Sequence, residues 1–180
     1  MKRFALCLVG VLAISSGAFA QSPDIDTPLL AAPANLREGA TVIKWKADYT
    51  YDTLKKGTNR LVCYDRSGKP GQQAFSLECT SVANIDRAAQ NLKFEAMGDK
   101  KQAMLDAAEK DGTRVKPEFG SVWYHLMGAD KDHTRTHVTI AVPGATKQTT
   151  GLPENAKEAN GGVWIMNAGT TTAHLMTPGE

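Results

Sequence analysis

The sequence predicts an α+β fold: a mainly antiparallel sheet with one kinked helix or helical pair and one disulfide. Three observations carry this. Segments with β-branched residues and period-two alternation come in runs. A single block, residues 84–112, has helical spacing. Strands and helices do not alternate regularly, as a doubly wound parallel sheet would require.

The elements follow in chain order. Met1-Lys2-Arg3, the apolar run from Phe4 to Ile14 and the small-x-small Ala18-Phe19-Ala20 make residues 1–20 a signal peptide, cut before Gln21. The run is shorter than the ~20 apolar residues that span a bilayer, so no membrane anchor is expected after cleavage. Residues 21–39 contain Pro23, Pro28 and Pro33 and read as an extended linker; residues 40–180 read as a single α+β domain. In Thr41–Lys46, Ile43 and Trp45 share one face and Lys44 and Lys46 the other, a half-buried strand. Tyr49–Leu54 is the next strand. Lys56-Gly57-Thr58-Asn59 turns the chain, and Arg60–Tyr64 returns as its hairpin partner, with Leu61 and Cys63 on one face and Val62 and Tyr64 on the other.

Arg66–Gly71 is a turn by its Gly, Pro and Ser content. Ala74–Cys79 is extended again, so a Cys63–Cys79 bond would tie two strands across that turn. Asn84 is placed to cap a helix bearing Ile85, Ala88, Ala89, Leu92 and Ala96. After Gly98, Asp99 and Gln102 resemble a capping box for a second helix that stops at Gly112. Ser121–Met127 is apolar on both faces, which fits a central strand. Thr136–Val142 turns Val138, Ile140 and Val142 inward. Pro143–Gly162 is a polar excursion with at most a short helix at Glu154–Ala159. Val163–Met166 is the last strand, and Leu175 and Met176 dock on the core as the chain closes.

Charge and cysteines narrow the function. The chain holds 21 basic and 19 acidic residues; without Lys2 and Arg3 the two are equal. Nucleic-acid binders carry a clustered basic excess, and here the basic residues are scattered among acids. No nucleic-acid partner is expected. Cys7 leaves with the leader, so Cys63 and Cys79 are an even pair in an oxidising compartment and are expected to be bonded. With no third mature cysteine and no Cys-x-x-Cys spacing, neither a thiol nucleophile nor a thiolate metal site is expected.

The candidates for chemistry are histidines. His133 and His137 lie four apart, but Thr134–Ile140 favours a strand, which would separate them by ~13 Å; both read as exposed loop histidines, and no metal or other cofactor is expected. Asp130-Lys131-Asp132 lacks the Gly and Glu that a calcium loop needs at its sixth and twelfth positions, where Arg135 and Ala141 stand. No Gly-x-Ser-x-Gly elbow and no phosphate-binding glycine loop is present. His125, beside Trp123 and Tyr124, either lines a pocket or is a hydrogen-bonded core residue. His174 carries the same two readings.

Leu54, Gly57-Thr58-Asn59, Cys63, Cys79, Tyr124–Gly128, Ile165-Met166, Gly169-Thr170 and Ala173-His174-Leu175-Met176 with Pro178 resemble a group of small secreted bacterial proteins of unassigned function. That group often has Pro and an aromatic where Thr171 and Thr172 stand. The resemblance implies a bacterial periplasmic or secreted protein and transfers no catalytic residue. The leading expectation is an exported non-enzymatic domain that binds a small molecule or an envelope protein. The alternative is a hydrolase-like enzyme that uses His125 or His174 with a nearby carboxylate.

Overall fold

A computed structural model describes residues 22–177. The expected signal peptide, with Cys7, lies outside the described residues, as does Pro178. Among the described residues, eight strands form one sheet: β1 (Thr41–Trp45), β2 (Tyr51–Lys55), β3 (Leu61–Asp65), β4 (Phe75–Ser81), β5 (Val122–Gly128), β6 (Thr134–Ala141), β7 (Trp164–Met166) and β8 (His174–Met176). Their order is β2-β1-β3-β4-β5-β6-β8-β7. Only β1 and β3 pair in parallel; the other neighbours are antiparallel. The helices are α1 (Pro23–Leu29), α2 (Ile85–Glu95), α3 (Lys101–Lys110), α4 (Lys147–Thr150) and α5 (Ala156–Ala159). The α+β class, the helical pair and the Cys63–Cys79 disulfide match the sequence expectation.

Residues 22–39 depart from the expected extended linker. Pro23 opens α1, where its missing N–H would have had no partner anyway. Asp24 and Asp26 lie in the first turn, where the helix dipole favours negative charge. Leu29, Ala31 and Ala32 are buried against Val42, Cys63, Leu77 and Cys79. The prolines bend this stretch without preventing it from burying apolar surface. Val42 is consequently fully buried on the α1 side while Ile43 and Trp45 are buried on the α2 side; β1 is therefore an interior strand covered on both faces.

The expected β2–β3 hairpin does not form. β1 lies between them, antiparallel to β2 and parallel to β3. The connecting segment crosses the start of β1: Thr58 and Asn59 N–H groups donate to the Gly39 carbonyl at 2.8 and 2.9 Å, and Gly57 N–H donates to Thr41 Oγ1 at 3.0 Å. A Cβ on Gly57 would lie 2.2 Å from the Gly39 oxygen. Only glycine permits this crossing. An apolar strand gains more from the interior position than a polar hairpin turn can specify.

Smaller differences have local causes. Asn84 precedes α2 without capping it through its side chain; that side chain is buried and donates to Thr80 Oγ1 and Ser121 Oγ, and accepts from Glu118 N–H. Asp99 makes no capping box, and Gln102 donates to Asp106 instead. In β6 the buried residues are Thr139 and Ala141, not Val138 and Ile140, because α2 covers the other side. Val163–Met166 is not the last strand: β8 inserts between β6 and β7. Residues 143–162 hold two short helices, one of them capped by Thr146 with a reciprocal Thr149 bond.

One face of α2 builds the main core. Ile85, Ala88 and Leu92 pack on Ile43, Trp45, Val62, Tyr64 and Trp123. Arg87, Asn91 and Glu95 follow at intervals of four, on a neighbouring face of the same helix. All three line one cavity with residues of β4, β5 and β6.

Candidate active site

Period-two alternation and strand register together put four polar side chains in one row. Tyr64 on β3 lies opposite Glu78 on β4, Glu78 opposite His125 on β5, and His125 opposite His137 on β6. Side chains directly opposite one another on antiparallel strands share a face and touch. The row therefore crosses the α2 side of the sheet.

Glu78 is the centre of the row and is 2% exposed. Its carboxylate accepts a hydrogen bond from Tyr64 Oη, one from Arg66 Nη1 and one from His125 Nδ1 at 3.0 Å. Arg66 also donates from Nη2 to Glu95 Oε2 at 2.6 Å, which ties the end of α2 to the sheet. Burial alone would raise the Glu78 pKa; the Arg66 guanidinium and then His125 outweigh it and hold the group down at about 2. Burial, and next the Glu78 charge, push the Tyr64 phenol well above its ordinary value, so it stays protonated and donates. Burial opposes the charge of Arg66, but Glu78 and Glu95 prevail and hold it protonated.

An ionised carboxylate only accepts. His125 Nδ1 must therefore carry a hydrogen, which makes Nε2 the ring nitrogen open to proton exchange. His174, on β8 opposite Ala141, has its Nδ1 2.7 Å from the Thr172 carbonyl oxygen, which fixes the same tautomer. Burial lowers the His174 pKa against the pull of that carbonyl, and the His125 and Arg87 charges lower it further, so the imidazole is neutral at pH 7.

His125, His137 and His174 line one cavity of about 320 Å³ with Arg66, Glu78, Arg87, Asn91, Glu95, Trp123 and Thr172. The His125 and His137 rings are 5.7 Å apart. His125 is 19% exposed, so the carboxylate is sealed while the imidazole reaches the opening. The sequence-based choice of His125 and His174 is thus brought together in one place, with a carboxylate. His137, read as an exposed loop histidine, is instead a strand residue on the cavity wall. His133 stays out of the site: its ring nitrogen contacts Asp130 at 2.8 Å in the exposed β5–β6 turn. Asp130 also accepts from the Asp132 and His133 N–H groups, so the Asp-Lys-Asp motif is a turn. Among the described residues, no three His, Cys, Asp or Glu side chains are grouped to hold a metal ion.

No protein-family model, curated protein or solved structure matches this chain.

Arg66, Glu78, Arg87 and Glu95 were not singled out from sequence. Glu78 had a readable signal: it is a charge inside Phe75-Ser76-Leu77-Glu78-Cys79, a strand whose neighbours are otherwise apolar or small. A charge in such a strand is either paired or functional. The Arg87-Asn91-Glu95 stripe gave no comparable signal, since polar residues on a helix ordinarily face water.

Proposed function

We propose that the protein is an exported hydrolase-like enzyme that works in this cavity, with His125 as general acid–base and Glu78 as the group that orients it. The observation that carries the reading is the 3.0 Å contact between His125 Nδ1 and the sealed Glu78 carboxylate in a cavity shared with His174. A fixed Nδ1–H tautomer leaves Nε2 to take a proton from water as the water oxygen adds to an electrophilic centre. Glu78 stabilises the imidazolium that forms. The same imidazolium then returns the proton to the leaving group, so one water is split across one bond. Neutral His174 supplies a second imidazole lone pair nearby.

The energetics favour a functional origin for the cluster. Buried ion pairs are commonly replaceable by apolar side chains at no loss of stability, so the fold does not need Glu78 and Arg66 where it has them. Titratable groups shifted by burial and a specific charge partner, in a cleft, mark functional sites. Export is supported by the Cys63–Cys79 disulfide, which belongs to an oxidising compartment, and by the leader sequence. Among the described residues no helix is long and apolar enough to cross a membrane.

The test is turnover of p-nitrophenyl phosphate, bis-p-nitrophenyl phosphate and p-nitrophenyl acetate by the purified protein and by His125→Gln. Hydrolysis of at least one ester is expected, with a loss of about 10²-fold or more in H125Q while circular dichroism is unchanged. Inertness toward all three esters, or equal rates in H125Q, overturns the enzyme reading in favour of a binding-only cavity.

A further inference from the structure

The cavity contains two buried arginines in opposite electrostatic situations. Arg66 is neutralised by two carboxylates, Glu78 and Glu95. Arg87, 3% exposed, is held among the described residues by neutral acceptors: Nη1 donates to the Val115 carbonyl and to Thr171 Oγ1 at 3.1 Å, and Nη2 donates to Thr172 Oγ1 at 2.7 Å. The Glu109 carboxylate reaches it through those hydroxyls, accepting from Thr171 Oγ1 and, at 3.3 Å, from Thr172 Oγ1. Burial and then the neighbouring Arg114 charge pull the Arg87 pKa down to about 10, although Glu109 opposes them.

A guanidinium has five N–H donors, and among the described residues the three bonds above leave two: Nε–H and one hydrogen of Nη2. These two share one edge of the planar group and form the fork that grips an oxyanion by parallel bonds. A buried cation that has no direct counter-ion among the described residues and lines a cavity with two donors in hand is set for an anion from outside.

We propose that Arg87 anchors a phosphate group of the ligand in this cavity, which makes a small phosphoester the substrate class. This rests on the enzyme reading for what happens to the ester, but not for how the phosphate is held. Phosphate is preferred to carboxylate by its shape. A planar carboxylate commits both oxygens to the Arg87 fork. A tetrahedral phosphate keeps further oxygens for the imidazoles of His125 and His174, which line the same cavity as Arg87. Thr171 and Thr172 act as positioning residues that hold the guanidinium edge toward the opening.

The experiment is calorimetric titration of the purified protein with inorganic phosphate and, separately, with acetate. Phosphate is expected to bind, acetate at least about tenfold more weakly, and Arg87→Gln to weaken phosphate binding by about tenfold or more, the loss of a charge-assisted fork. The ester assay with H125Q reads the chemistry and phosphate titration of R87Q reads the anchor, so the two readings fail separately. Should R87Q fail to fold, the Arg87 Nε–H resonance of the wild-type protein is the second readout, and it should move with added phosphate. Equal phosphate binding by folded R87Q, acetate binding as tight as phosphate, no phosphate binding, or an unmoved Nε–H resonance each overturns the proposal, whatever the ester assay shows.

Discussion

Within β4, Leu77 and Cys79 face one side of the sheet and Glu78 faces the other, and the two sides have opposite chemistry. On the α1 side, Cys63, Cys79 and Leu77 are almost completely buried among Leu29, Ala31, Ala32 and Val42. That surface is apolar and covalently closed. On the α2 side, one residue along the same strands, Tyr64, Glu78, His125 and His137 make a polar row beside a cavity. The difference shows how one set of strands divides its labour: the disulfide face fixes the β3–β4 register, and that register sets Tyr64 against Glu78 and Glu78 against His125. A slip by one residue would exchange the two faces.

The largest effect should come from breaking the polar face. Glu78→Ala leaves Arg66 and Tyr64 buried without their main partner, and removing one member of a buried pair costs about 3–5 kcal/mol. Urea unfolding would measure it. The same carboxylate sets an acid limit. Its folded pKa of about 2 lies below the ordinary 4.5, so its contribution is fully present above about 4.5 and is lost as pH falls from 4.5 through 2. Glu78→Gln should flatten the pH dependence of urea unfolding in that window.

Breaking the apolar face should have a smaller effect and leave the cavity chemistry alone. The bond joins residues 16 apart, a loop for which chain-entropy arguments give about 3 kcal/mol. The Cys63→Ser, Cys79→Ser double variant should lose about that much stability in urea yet keep the phosphate affinity of the intact protein when folded. Changed affinity would mean that the two faces are coupled. Smaller still is Leu29→Ala, expected at the lower end of the ~2–5 kcal/mol for such truncations, because α1 docks from outside and can settle into the space. A thermal melt that did not move would show that α1 is dispensable to the sheet.

Much of the frame was legible because its signals are local. Alternation in Leu61–Tyr64 and in Val122–Met127 gave the correct face of every residue there, and helical spacing marked Ile85, Ala88 and Leu92 as core. The position of β1 between β2 and β3 was not legible, since it depends on Gly57 passing over Gly39, a contact between segments that each look like ordinary turns. The helix at Pro23–Leu29 was hidden by its prolines. For the site, His125 and His174 were identifiable as residue types able to move protons, but Arg66, Arg87 and Glu95 belong to stretches that, read singly, face water.

The sequence by itself determined the α+β class, the strand faces, the cysteine pair and the histidines worth testing, because periodicity and composition act between near neighbours. Tertiary structure alone decided that Glu78 lies against His125, that Arg66 uses up Glu78 and Glu95, and that Arg87 is left without a direct counter-ion among the described residues. Those facts come from pairing β3, β4, β5 and β6 side by side and laying α2 across them. Charges are strong only where water is excluded, and exclusion is a property of the packed layers, not of any one segment.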